Sequence, residues 1–125
     1  MLNQLHIQNF ALIQDLELNL KSGLNIITGE TGAGKSILLG ALGLLSGKRS
    51  DVSVIRGDSK KCVIEGTFTV DNYGLESFFD RHDIEFESNT IIRREIALSG
   101  KSRSFVNDSP VTLAILKELG SFLID

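Results

Sequence analysis

The chain lacks most of what would mark a secreted, membrane-spanning or zinc-binding protein. It has a single cysteine, Cys62. A lone thiol closes no internal disulfide, and no cysteine–histidine cluster accompanies it, which fits a reducing cytoplasm. The opening MLNQLHIQNF has no basic segment followed by an apolar run, so no signal peptide is read there. The apolar runs are far too short to span a bilayer, and no membrane partner is expected. Basic residues are not in surplus. The net charge of -3 argues against a surface built throughout for nucleic acid and leaves room only for a local basic patch. There is one proline, Pro110, and no internal repeat, low-complexity tract or heptad run.

What is present suffices for one domain, or one lobe of a larger one: 125 residues, 42% of them apolar. Alternation of apolar and polar residues predicts strands over 2–9 and 16–20, joined by a connection longer than a tight hairpin. A short apolar run, 24–28, reads as a buried strand. From Lys35 the spacing turns helical through Ile37, Leu38, Ala41, Leu42, Leu44 and Leu45, with Gly47 as its stop. Residues 48–61 read as a loop and 62–70 as a strand with one polar face. Residues 75–82 form a short helix, and 90–98 with 102–107 form a hairpin about Ser99-Gly100-Lys101. Ser109 is the expected N-cap of a last helix, with Pro110 at its first position. Gly120 is its expected end, and 122–125 look like the start of another strand.

Between the apolar run and the first helix lies Gly29-Glu30-Thr31-Gly32-Ala33-Gly34-Lys35-Ser36, a match to G-x-x-x-x-G-K-[ST]. Each residue type has a chemical reason. Glycines let successive backbone N–H groups turn toward phosphate oxygens. The helix that follows aims its positive end at the same place. Lys35, the candidate catalytic residue, reaches β- and γ-phosphates, and the Ser36 hydroxyl is the candidate Mg²⁺ ligand. A chance match at a given position is on the order of 1 in 10⁴ or rarer. The strand before and helix after supply the right context. The expected ligand is a nucleoside triphosphate, ATP with Mg²⁺.

The loop alone does not separate ATPases, GTPases and kinases. Two strand candidates precede it, an arrangement that resembles the heads of ABC-type ATPases, where an antiparallel β-layer flanks the nucleotide. Further motifs occur in order: I-x-N-F-A-L-I at 7–13, G-L-N-I-I-T-G-E-T-G-A-G-K-S at 23–36, and I-L-L-G-A-L-G-L-L-S-G-K-R-S-D at 37–51. Then follow Ile55-Arg56-Gly57, Glu65-Gly66-Thr67-Phe68, Ile92-Arg93-Arg94-Glu95-Ile96, Ser102-Arg103-Ser104-Phe105-Val106-Asn107 and Pro110-Val111-Thr112-Leu113. Across nearly the whole chain this set resembles the start of the RecN family, bacterial double-strand-break repair ATPases related to SMC proteins.

The resemblance implies an α/β P-loop NTPase fold: the N-terminal lobe of an ABC-type head, residues 1–125, with a flanking antiparallel layer. It implies a longer chain in which a coiled coil separates this lobe from a C-terminal one carrying the signature motif and the acids that position magnesium and activate water. Here no apolar strand ends in paired acids, and neither Glu118 nor Asp125 substitutes. The isolated lobe is therefore expected to bind nucleotide weakly and to turn it over poorly or not at all. The implied partners are the C-terminal lobe, a second head in an ATP-dependent dimer, and DNA. The implied location is cytoplasmic, at the nucleoid. One departure stands out. Several SMC-like relatives carry a basic or hydroxyl residue just after the Asn-Phe pair, where this chain has Ala11 and Leu12, so base and ribose contacts do not carry over.

Weaker candidates have bland alternatives. Arg56 is a candidate nucleotide or DNA contact, or an ordinary surface arginine. Phe10 could stack on adenine, or be a core or hairpin residue, and Asn9 is weighed in the same way. Lys60, Lys61, Arg93, Arg94, Lys101 and Arg103 could form a basic surface for DNA phosphates, or be solvated hairpin charges. Strand alternation places Arg93 and Arg94 on opposite faces. His6, His82 and Cys62 have no partners that suggest catalysis. Competing functions are another SMC-like or RecF-like head, a small P-loop kinase or GTPase, and a pure binding module in which nucleotide holds subunits together. No N-K-x-D motif or arginine-rich lid supports a GTPase or kinase.

Overall fold

The computed structural model describes residues 1–20 and 32–124. The expected strand at 24–28, and Gly29, Glu30 and Thr31 of the phosphate loop, lie outside the described residues. The elements run β1 (Leu2–Phe10), β2 (Ile13–Asn19), α1 (Gly32–Leu45), β3 (Lys61–Thr69), α2 (Glu76–Arg81), β4 (Asn89–Ala97), β5 (Ser102–Val106), β6 (Ser109–Val111) and α3 (Leu113–Leu123). The strands form a sheet in the order β2-β1-β3-β4-β5-β6, and every pairing is antiparallel. This sheet is the flanking layer expected beside the nucleotide.

Period-two alternation gives the sheet one apolar face. Leu5 and Ile7 on β1, Cys62, Ile64 and Phe68 on β3, Ile92 and Ile96 on β4, and Val106 on β5 are buried. Against them lie Ala41, Leu44 and Leu45 of α1, Phe78 and Phe79 of α2, and Leu116 and Leu119 of α3. Burial of such side chains contributes roughly 1.5–3 kcal/mol each. The opposite face is polar. There Arg93 pairs with Glu65 (3.8 Å), Glu95 (3.2 Å) and Asp108 (3.2 Å) and lies over the Phe105 ring (4.4 Å).

Helix α1 ends where expected. Gly47 has φ +95°, a left-handed conformation that glycine alone adopts cheaply. Its N–H donates to Leu44 O (3.2 Å), and the Lys48 N–H donates to Gly43 O (3.1 Å). This is the paired pattern that satisfies the last carbonyls of a helix. The guanidinium of Arg94, 1% exposed, closes the same end. Its Nη1 donates to Leu44 O and Lys48 O, both at 2.8 Å, and its Nε to Ser102 Oγ at 3.1 Å.

Four expectations are corrected. The connection between β1 and β2 is a two-residue turn, Ala11-Leu12, with Phe10 paired to Ile13. It is tight because Asn9 (φ 55°) and Ala11 (φ 53°) take left-handed conformations, which asparagine tolerates better than most residues. Ser109 and Pro110 are not the start of a helix. Asn107 (φ 49°) and Asp108 (φ 67°) form the kind of two-residue turn that suits a β-hairpin, so 109–111 return as β6, paired to β5. Pro110 sits on this edge strand, where its missing N–H matters little. Thr112 is the cap instead, its Oγ1 accepting the Ile115 N–H at 3.2 Å. Gly120 does not end α3 but lies within it, buried, because a Cβ there would stand 2.6 Å from Ser46 Cα. Phe122 and Leu123 continue the helix rather than begin a strand.

Candidate nucleotide-binding site

The candidate site is built on the N-terminal end of α1. Gly32, Ala33 and Gly34 open the helix, and Lys35 and Ser36 follow in it with both side chains exposed. No acidic residue occupies the first turn. A helix end of this kind favours an anion through its dipole and its first-turn N–H groups. Lys35 adds a point charge and Ser36 a hydroxyl, the donor set that a triphosphate and its Mg²⁺ require. Gly29, Glu30 and Thr31 lie outside the described residues, so the described part of the site is 32–36.

Two segments meet beside this helix. The Phe10 ring lies 3.4 Å from where a Cβ on Gly40 would stand. Gly40 is four residues, about 6 Å along the axis, beyond Ser36. The Ala11 N–H donates to Val54 O and the Arg56 N–H to Asn9 O, both at 2.8 Å. The β1–β2 turn thus ties the Arg56 segment to the flank of α1. Arg56 is half-buried. Phe10 is buried in the core, so its ring packs on α1 and is not an exposed stacking platform. Asn9 Nδ2 donates to Lys61 O at 3.4 Å.

The six basic candidates for a DNA surface do not form one. Arg93 and Arg94 fall on opposite faces, as alternation requires. Arg94 is buried beneath α1, and Arg93 is neutralised by three carboxylates. Lys61 stands 3.9 Å from Glu95. Lys60, Lys101 and Arg103 remain exposed. The pattern marked Arg94 only as a charged residue in a strand. Its structural role was hidden because its acceptors, Leu44 O and Lys48 O, are backbone atoms some fifty residues away that leave no mark in composition.

Three other groups that chemistry could recruit have structural surroundings. His6 Nε2 meets Asp15 at 2.7 Å. Glu118 stands 3.4 Å from Arg81 and 4.0 Å from His82. Cys62 is buried, and desolvation pushes its thiol pKa up to about 11, far from the thiolate needed for reactivity. Among the described residues no group of three or more His, Cys, Asp or Glu is placed to hold a metal, and no helix is long and apolar enough to cross a membrane.

A mixed α/β lobe with a glycine-lysine-serine helix start belongs to the phosphate-loop ATPase folds. The family model described as an AAA domain matches residues 4–124, and the chain belongs to that family. Within it, the chain is similar to the DNA repair protein RecN of Vibrio cholerae serotype O1, 43% identical over 126 residues, covering 100% of this chain and 23% of that protein. It spans about a quarter of the length of the curated relatives it matches. Among solved structures, one from work on ATP-driven dimerization and DNA-stimulated activation of SMC ATPases superposes with TM-score 0.72 at 20% identity, over 97% of this chain and 78% of that one. The recombination mediator protein RecF-ATPrS superposes with TM-score 0.66 at 19% identity, over 93% of this chain and 29% of that one. At such identities these two establish the fold.

Proposed function

We propose that the chain is the nucleotide-binding N-terminal lobe of a RecN-like DNA repair ATPase, and that it holds ATP through residues 29–36. The observation that carries this is the start of α1, where Lys35 and Ser36 are exposed on an acid-free first turn. In this reading the backbone N–H groups of the first turn and the Lys35 ammonium grip the β- and γ-phosphates. Ser36 would hold Mg²⁺, which would shield the phosphate charge. Arg56, tied to the β1–β2 turn beside α1, approaches the nucleotide or DNA when heads engage. Similarity to RecN over the whole chain supports DNA repair as the task, and the SMC and RecF likenesses support a head-type fold.

The acids that activate water belong to the C-terminal lobe, and ATP joins this head to a second one in a dimer that acts on DNA in the cytoplasm. Alone, the lobe binds nucleotide without efficient turnover. Calorimetric titration with ATP and Mg²⁺, beside Lys35→Ala and with phosphate release followed in the same samples, tests this. Binding that is lost in the variant, with negligible release, is the expected result. Robust turnover by the wild-type chain, or binding indifferent to Lys35→Ala, would overturn it.

A further inference from the structure

At the opposite end of α1 from Lys35 lies a cavity of about 670 Å³. It opens between the loop that follows α1 and the β4–β5–β6 side of the sheet, with the start of α3 at its rim. Its polar lining is rich in groups that can donate, with the Ser104 hydroxyl among them. Arg49, Arg94 and Arg103 contribute guanidiniums, and Ser50, Ser102 and Thr112 contribute hydroxyls. Arginine stays charged at any accessible pH and accepts nothing. Among the described residues, no carboxylate lines the cavity.

The three arginines have different tasks. Arg94 is the fixed floor, held by Leu44 O, Lys48 O and Ser102 Oγ. Arg49 and Arg103 are exposed, and among the described residues neither is in an ion pair. Arg93, on the other face, shows that this fold can neutralise an arginine fully, with three carboxylates around it. Among the described residues, nothing comparable is built around Arg49 and Arg103. Among the described residues the buried Ser50 hydroxyl oxygen has no hydrogen-bond partner, a condition that folding tolerates poorly. Helix α3, eleven residues long, turns its N-terminal end to the same space with no acid in its first turn, and such an end favours negative charge.

We infer that this cavity is a second oxyanion site, one that takes a phosphate group, either as the free anion or as a diester. Phosphate fits better than carboxylate because it brings more acceptor oxygens, and this lining offers several donors from different directions. The site is separate from residues 32–36, the described part of the phosphate loop. The fourteen residues of α1 put roughly 21 Å between the two ends of the helix. Two sources present this chemistry: free inorganic phosphate and the backbone of a nucleic-acid strand.

The test is an NMR titration of the full chain, following the Ser50, Ser102 and Leu113 amides. Inorganic phosphate and a short oligothymidylate are added separately, to wild type, Lys35→Ala and Arg49→Ala/Arg103→Ala. Saturable shifts are expected in wild type and Lys35→Ala. The double variant should bind at least about tenfold more weakly, the loss of charge-assisted hydrogen bonds. Its melting temperature should hold, because both side chains are exposed. Arg49→Lys/Arg103→Lys is expected to retain intermediate affinity, which guards against a misfolded double variant. Oligothymidylate bound about tenfold or more tightly than phosphate assigns the site to a strand; phosphate bound as well or better assigns it to the free anion. Flat titrations with both, including the case where a carboxylate of another segment fills the cavity, overturn the inference. So do shifts that survive the double variant, and shifts that vanish in Lys35→Ala.

Discussion

Replacing Arg94 tests most directly how α1 is mounted on the sheet. The side chain is 1% exposed and makes three hydrogen bonds, two of them to carbonyls at the C-terminal end of α1. Among the described residues its charge faces no carboxylate and is balanced by those carbonyls, which carry the negative end of the helix dipole. Burial draws its pKa down, but arginine remains charged. Hydrogen bonds to a charged group are worth about 1.5–3 kcal/mol each, and a buried acceptor left unpaired costs about 1–3 kcal/mol. Leu44 O keeps its bond from the Gly47 N–H, so Lys48 O is the main orphan. Removing a buried charge recovers some desolvation energy, which can make apolar replacement of buried ions neutral. The net for Arg94→Met is then about 3 kcal/mol of destabilisation. For 125 residues the unfolding entropy is roughly 0.26 kcal/mol/K, so the melting temperature is expected to fall by about 11 °C. Arg94→Lys keeps the charge but cannot span both carbonyls with a rigid fork, and is expected to lose roughly half as much. Calorimetric or urea unfolding reads both. An Arg94→Met chain within about 1 kcal/mol of wild type would show that the clamp contributes nothing net and would refute the reasoning.

Other substitutions probe the corrected elements. Gly120→Ala improves intrinsic helix propensity by about 1 kcal/mol, yet it drives a Cβ to 2.6 Å from Ser46 Cα. Net destabilisation of about 1–3 kcal/mol is expected in urea, and a gain in stability would mean that α1 and α3 do not touch there. Thr112→Ala is expected to cost about 1 kcal/mol, whereas Pro110→Ala stays within about 0.5 kcal/mol; the reverse order would restore Ser109-Pro110 as the helix start. Burial holds the Cys62 thiol near 11 against an ordinary 9.0. The native state therefore keeps its proton while the unfolded chain loses it, and stability falls as pH rises from 9.0 to about 11. That part of the fall is expected to disappear in Cys62→Ala, followed by melting temperature against pH.

Much of this fold is legible in the pattern. Leu5 and Ile7, Cys62, Ile64 and Phe68, and Ile92 and Ile96 alternate with polar residues, and each set is buried as a face. The separation of Arg93 from Arg94 follows from the same periodicity. The errors arise where one signal has two physical solutions. Ser-Pro before an apolar run suits a helix start or an edge strand, and only Asn107 and Asp108 together at positive φ select the strand. Gly120 suits a helix end or a close helix contact, and the deciding neighbour, Ser46, is distant in sequence. At the candidate site, Lys35 and Ser36 are singled out by spacing alone. The burial of Phe10 and the anion-ready lining around Arg49 and Arg103 are not, because each depends on which segments the sheet brings together.

The mounting of α1 has a mechanical consequence. The helix is a rigid arm about 21 Å long, gripped at its base by the Gly47 turn, the Arg94 guanidinium and the contact with Gly120. Lys35 and Ser36 lie near its opposite tip. A tilt of roughly 3° at the base sweeps that tip through about 1 Å, a displacement large enough to cost an active site on the order of 100-fold. Loosening the grip at Arg94 is therefore expected to displace Lys35, about 14 Å along the helix from Leu44.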